Sequence, residues 1–277
     1  MDVFAAFIAP ALAGVFVGVM SGLLGVGGGT IMVPIFRLAF GMSPLASTAT
    51  SLFAIIPTSI SGVVAHARAK TCVPKLGLAL GVGGAVMSPM GVWLASVSPG
   101  WLVICVAAIV IGFSAFKMFK KAVKCAPTPR AGRAGGNVQA ASAKAVPDQP
   151  VLSRKQYLQG ACIGLIAGLA SGYVGVGGGF IMVPLMLAVL NIPMSLASGT
   201  SLIAIMILAI PGVIEQGLLG NIDYLAGIAI VVGSIPGALV GARLVRVVPE
   251  RQLRFIFGGF LLVAAVMLML NEFGILG

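Results

Sequence analysis

The 277-residue chain is 59% hydrophobic and only 8% charged. Soluble proteins carry about 25% charged residues to wet their surface, so the composition excludes an ordinary soluble enzyme, a nucleic-acid module and a disordered chain, and leaves a polytopic membrane protein. The 17 Lys and Arg against 6 Asp and Glu give a net charge of +11, which on a membrane protein records which loops stay in the cytoplasm.

A helix crosses the hydrocarbon in roughly 20 residues. Charge-poor apolar stretches predict eight full-length helices, at residues 3–24, 45–66, 75–95, 100–118, 157–174, 195–214, 223–244 and 253–271. Two shorter stretches, 30–41 and 180–192, are too short to cross comfortably alone. The first span lacks a basic leader and runs straight into a glycine-rich motif, so it is not read as a signal peptide. Residues 117–155 hold nine Lys and Arg and a middle rich in Ala, Pro and Gly. That composition predicts a disordered cytoplasmic linker over 119–156, between membrane units 1–118 and 157–277. Cys72, Cys105, Cys125 and Cys162 show neither metal spacing nor a paired framework, and neither metal nor cofactor is expected.

The two units are copies of one another at a constant offset of 150 residues. Residues 21–36 read SGLLGVGGGTIMVPIF and residues 171–186 read SGYVGVGGGFIMVPLM, identical at eleven of sixteen positions. The match continues at Thr50-Ser51-Leu52 with Thr200-Ser201-Leu202, and at Gly62, Gly77, Gly91 and Pro99 with their counterparts. Charge reverses between the copies. The loop before the third long helix is basic in the first copy (Arg68, Lys70, Lys75) and acidic in the second (Glu215, Asp223). The loop after it is uncharged in the first copy and carries Arg243, Arg246, Arg251 and Arg254 in the second. Basic loops tend to be cytoplasmic, so the copies point in opposite senses. That needs an odd number of crossings per copy, with the short elements as the fifth. The expected fold is an all-α integral membrane protein of two inverted repeats and about 10 membrane helices, eight long and two short, with both termini outside. The rival is eight helices in two parallel four-helix repeats.

Each GVGGG run interrupts a membrane helix, where unpaired backbone is tolerated only against protein or a cavity. Glycine permits positive φ and close approach of a ligand, and the N–H groups opening the next helix form an anion site. The candidate binding residues are therefore Gly27, Gly28, Gly29 and Thr30 with Gly177, Gly178, Gly179 and Phe180. The repeated hydroxyls of Thr50, Ser51, Thr200 and Ser201 are the candidate side-chain donors, and Pro34 and Pro184 the candidate kinks for gating. Gly14, Gly18 and Gly22, and Gly160, Gly164, Gly168 and Gly172, recur every four residues as packing faces. Arg37 and His66 are the ionisable side chains to weigh for a place on a transport path.

Two copies of G-x-G-G-G-x-I-M-V-P, each early in a four-to-five-helix unit, resemble the sulfite exporter TauE/SafE permeases. The resemblance covers nearly the whole chain outside the linker. It implies no enzyme but an inner-membrane carrier, an exporter of sulfite, organosulfonates or related sulfur-containing anions. The expected partners are a small anionic substrate and membrane lipid, with no nucleic acid and a homodimer left open. An anion channel and a carrier of non-sulfur organic anions are the alternatives.

Overall fold

The computed structural model describes residues 3–124, 153–174 and 177–272, and the described residues form helices and no strand. The first copy comprises α1 (Val3–Leu24), α2 (Gly29–Leu38), α3 (Pro44–Arg68), α4 (Pro74–Val97) and α5 (Gly100–Lys124). The second comprises α6 (Arg154–Val174), α7 (Gly179–Leu185) with a π-helical turn at Met186–Leu190, α8 (Met194–Leu218), α9 (Tyr224–Leu244) and α10 (Glu250–Glu272). Every expected long span is present, and α5 continues six residues past its expected end at 118, to Lys124. The stretch expected to be a linker falls mostly outside the described residues.

Local chemistry sets the boundaries. Ser43 caps α3 by accepting the Ala46 N–H at 3.2 Å, and Asp223 caps α9 by accepting the Ala226 N–H at 3.1 Å. Pro44 and Pro74 occupy the first turns of α3 and α4, where no donor is missed. By length and composition, α3, α4, α6, α8 and α9 can each cross a membrane, and Ile8–Leu24 and Gly179–Leu190 are shorter apolar helices. With these helices the chain is a multi-pass membrane protein.

The two copies interlock. α1 packs along α9, and α6 along α4, so the first helix of each copy pairs with the fourth helix of the other. α3 packs on α9 and α8, α8 also packs on α4, and α5 packs on α10. Glycines make the close pairs: Gly14, Gly18 and Gly22 lie against the backbone of Ile230, Ser234 and Ala238. Gly164, Gly168 and Gly172 lie in the same way against Leu80, Gly84 and Ser88, which are the counterparts of those residues. Gly83, Gly91, Gly233 and Gly241 reciprocate from α4 and α9. A Cβ at any of these positions would overlap main-chain atoms, so the four-residue glycine spacing is a packing face.

Candidate functional site: two broken helices meeting at their glycine turns

α1 ends at Leu24, and Gly25, Gly27 and Gly28 then take φ of 71°, 80° and 84°. Gly177 and Gly178 do the same at 86° and 67°. Gly28 and Gly178 are the left-handed residues immediately before α2 and α7. Each accepts the first helical hydrogen bonds: Ile31 and Met32 N–H onto Gly28 at 3.0 Å, Ile181 and Met182 N–H onto Gly178 at 3.1 and 3.0 Å. The N–H groups of Gly27 to Thr30 lie ahead of that ladder, where a helix start presents its donors. In the second break the Gly179 N–H is turned back onto the Gly177 carbonyl at 2.8 Å, so that donor is engaged.

The breaks lie against each other. A Cβ on Gly179 would stand 2.8 Å from the Gly25 carbonyl oxygen and 2.8 Å from the Val26 Cα. Ile55 and Ile205, counterparts at the 150-residue offset, are fully buried between them: Gly27 faces both, and so does Gly177. Phe180 is fully buried in the surrounding core.

The expected hydroxyl donors turn out to tie helices together. Thr50 Oγ1 accepts the Asp223 N–H at 3.0 Å, and Thr200 Oγ1 accepts the Val73 N–H at 3.0 Å. Each therefore satisfies a free donor at the start of the other copy's fourth helix. Thr200 donates to the Leu196 carbonyl at 2.6 Å, and Ser51 to the Thr48 carbonyl at 2.8 Å. Ser201 donates to the Gly25 carbonyl at 2.6 Å, with the Ser198 carbonyl at 2.9 Å, and so pins the first glycine break to α8. The donor hydrogens of Ser51, Thr200 and Ser201 are thus spent on carbonyls.

Three other hydroxyls at the breaks are buried with no hydrogen-bond partner: Ser21, Thr30 and Ser171. Ser21 Cβ lies 3.7 Å from where a Cβ on Gly28 would stand, and Ser171 Cβ 3.3 Å from that position on Gly178. Ser21 and Ser171 are counterparts, and each is 1% exposed. A buried hydroxyl left unpaired is costly, and it occurs at the same place in both copies. Sequence reasoning bracketed the repeated motif at these two serines and passed over them for the hydroxyls of α3 and α8. The available signal was their identity in both copies, one turn before the break.

The remaining candidates lie elsewhere. Arg37 is in the last turn of α2. His66 is fully buried, with Nδ1 2.7 Å from Thr71 Oγ1 and Nε2 2.8 Å from the Gly22 carbonyl oxygen. Pro34 and Pro184 are buried within the short helices, and the π-helical turn follows Pro184. A groove of about 540 Å³ opens between α5, α6 and α7, with Ser114, Lys117, Tyr173 and Pro184 on its wall. The glycines of the breaks do not line it.

Apolar helices in two interlocked copies, each with a broken helix, make a multi-pass membrane protein, and its relatives place it among membrane transporters. The family model for the sulfite exporter TauE/SafE matches residues 10–268, and the chain belongs to that family. It is similar to the probable membrane transporter proteins YdhB and YunE of Bacillus subtilis (strain 168). YdhB is 29% identical over 86% of this chain and 89% of its own length, and YunE 27% over 87% and 89%. It is also similar to the probable membrane transporter protein MJ0441 of Methanocaldococcus jannaschii, 24% identical over 94% of both chains. No solved structure matches it.

Proposed function

We propose that the chain is a secondary transporter, an exporter of small sulfur-containing oxyanions such as sulfite or organosulfonates in the cell inner membrane. The observation that carries this reading is the pair of unpartnered, buried hydroxyls, Ser21 and Ser171, one at each glycine break. Such donors bind an anion without a fixed opposing charge, which favours release. The anion sits against Ser21, Thr30 and Ser171 and the N–H groups of Gly27 to Thr30 and Gly177, Gly178 and Phe180. Thr50, Ser51, Thr200 and Ser201 frame the site. The sulfur chemistry is that of the family, the sulfite exporter TauE/SafE.

Ile55 and Ile205 fill the space between the breaks, which supports a cycle in which the isoleucines part to admit the anion. The copies are inverted repeats making ten crossings, and they rock about the site to alternate access. With an interior-negative potential, anion export gains about 2.3 kcal/mol per charge per 100 mV, so no dedicated coupling site is required.

Purified protein in proteoliposomes tests the substrate. Flux of sulfite and sulfonates should saturate and exceed that of carboxylates; unsaturable flux indicates a channel, and preferred carboxylate flux indicates a non-sulfur organic anion. Reporter fusions in the 95–100 and 247–250 loops should report opposite faces of the membrane. The same face for both would rule out the inverted arrangement.

A further inference from the structure

His66, in the last turn of α3, is the chain's single histidine, and nothing in the proposed binding site uses it. Its two ring nitrogens face different groups. The Gly22 carbonyl at 2.8 Å can only accept, so Nε2 carries the hydrogen. In the neutral ring Nδ1 is then the acceptor, and the Thr71 hydroxyl, 2.7 Å from Nδ1 and 3.3 Å from the His66 carbonyl oxygen, donates to Nδ1 as the nearer acceptor. Gly22 lies in the last turn of α1, where the break leaves helix carbonyls without their partners. The Ser21 carbonyl there takes the Gly25 N–H at 2.8 Å. The Gly22 carbonyl takes His66. Inside a bilayer a broken helix persists only when such groups are satisfied again.

The second copy holds no titratable group at the equivalent positions. Gln216 is the counterpart of His66, Asn221 of Thr71, and Gly172 of Gly22. Gln216 is 3% exposed, and its Oε1 accepts from Asn221 Nδ2 at 2.7 Å. Its amide N–H₂ remains as the donor end, as Nε2–H does in His66. The loop backbones match as well: Thr71 N–H bonds the His66 carbonyl at 2.9 Å, and Asn221 N–H the Gln216 carbonyl at 3.1 Å. Among the described residues, the charged groups around His66 are cations. Arg68 and Lys70 lie on its own helix end and loop, Lys75 on α4, and Arg246 beyond α9 bonds the Ala69 carbonyl. α1 carries no ionisable residue, and the acid of α8, Glu215, is at that helix's far end. Glu250 is engaged by Arg254 at 2.6 Å and by the Met194 N–H at 3.2 Å. Gly199 of α8 packs on the ring, where a Cβ would come within 2.9 Å of it.

We propose that His66 is a neutral positioning residue, a latch whose Nε2–H closes the broken end of α1 and so holds Ser21 and the first glycine turn in place, and that it does not carry a proton through the transport cycle. The link to transport rests on the proposed function; the latch itself does not.

Cys72 gives the test an independent readout, because it is 2% exposed and adjoins Thr71. In protein with Cys105, Cys125 and Cys162 changed to serine, maleimide labelling of Cys72 should rise about tenfold in His66→Ala, since losing one buried partner shifts the closed state by about that factor. His66→Gln, which copies the second repeat, should label within about twofold of the parent. It should also keep the parent's transport rate and pH profile. Thr71→Val removes only the partner of Nδ1 and should raise labelling too, which covers the case in which His66→Ala does not fold. Unchanged labelling in both loosening variants overturns the latch. A His66→Gln protein that transports but loses its dependence on a pH gradient overturns the neutral role. If the parent moves no anion, the proposed function fails while the labelling still decides the latch.

Discussion

Changing Ser21 and Ser171 together to alanine is expected to slow anion transport by about a hundredfold or more, while leaving the protein at least as stable as the parent. The two effects run in opposite directions for one reason. A hydroxyl donor to a charged ligand is worth about 1.5–3 kcal/mol, and each 1.4 kcal/mol is tenfold, so two lost donors account for the rate. Within the protein the same hydroxyls have no partner. Removing a buried, unpaired polar group relieves a penalty of roughly 1 kcal/mol. Flux in proteoliposomes and thermal unfolding in detergent measure the two quantities. Loss of both flux and stability would mean that the serines are structural. Retention of flux would remove them from the site.

Gly18→Leu and Gly168→Leu are expected to destabilise the protein severely and by similar amounts. A Cβ at Gly168 would overlap the Gly84 backbone, and one at Gly18 would overlap the Ser234 backbone. No side-chain rotation relieves either overlap, so a whole helix must shift. Overpacking usually costs about 1–3 kcal/mol, and backbone overlap places these variants at or above the top of that range. Chemical unfolding of the purified variants measures both. The equality follows from the interlocked pairs α1 with α9 and α6 with α4, which are equivalent in the two copies. A well-tolerated leucine at one position but not the other would break that equivalence.

Much of the fold was legible in the residues. The helix spans followed from apolar length, and the short elements after the glycine runs appeared where the motif ended. The packing glycines were legible from their spacing of four. Which helix they pack against was not. α4 and α9 both present glycine faces, so the spacing of α1 does not distinguish its own copy's fourth helix from the other's. Only the assembled fold shows the exchange between copies.

The site was half legible. Consecutive glycines in a membrane helix announced a break, and the positive φ values are there. The partners of the hydroxyl donors were not legible, because sequence gives residue type but not hydrogen-bond partners. Thr50 and Thr200 are polar, repeated and buried, as a binding residue would be. Their oxygens meet the N–H groups of Asp223 and Val73 instead. Ser21 and Ser171 look like ordinary helix serines until the structure leaves their hydroxyls without a partner. Ile55 and Ile205 carried no polar signal, and their place between the breaks comes from the meeting of the two copies.

The central claim is that the two copies build one anion site together. Equilibrium titration of the purified protein with sulfite and with a small alkylsulfonate tests it most directly. One saturable site per chain is predicted, weakened at least about tenfold by either Ser21→Ala or Ser171→Ala alone, because each donor contributes to the same ligand. Two sites per chain, each sensitive to its own serine, or binding indifferent to both, would contradict the account.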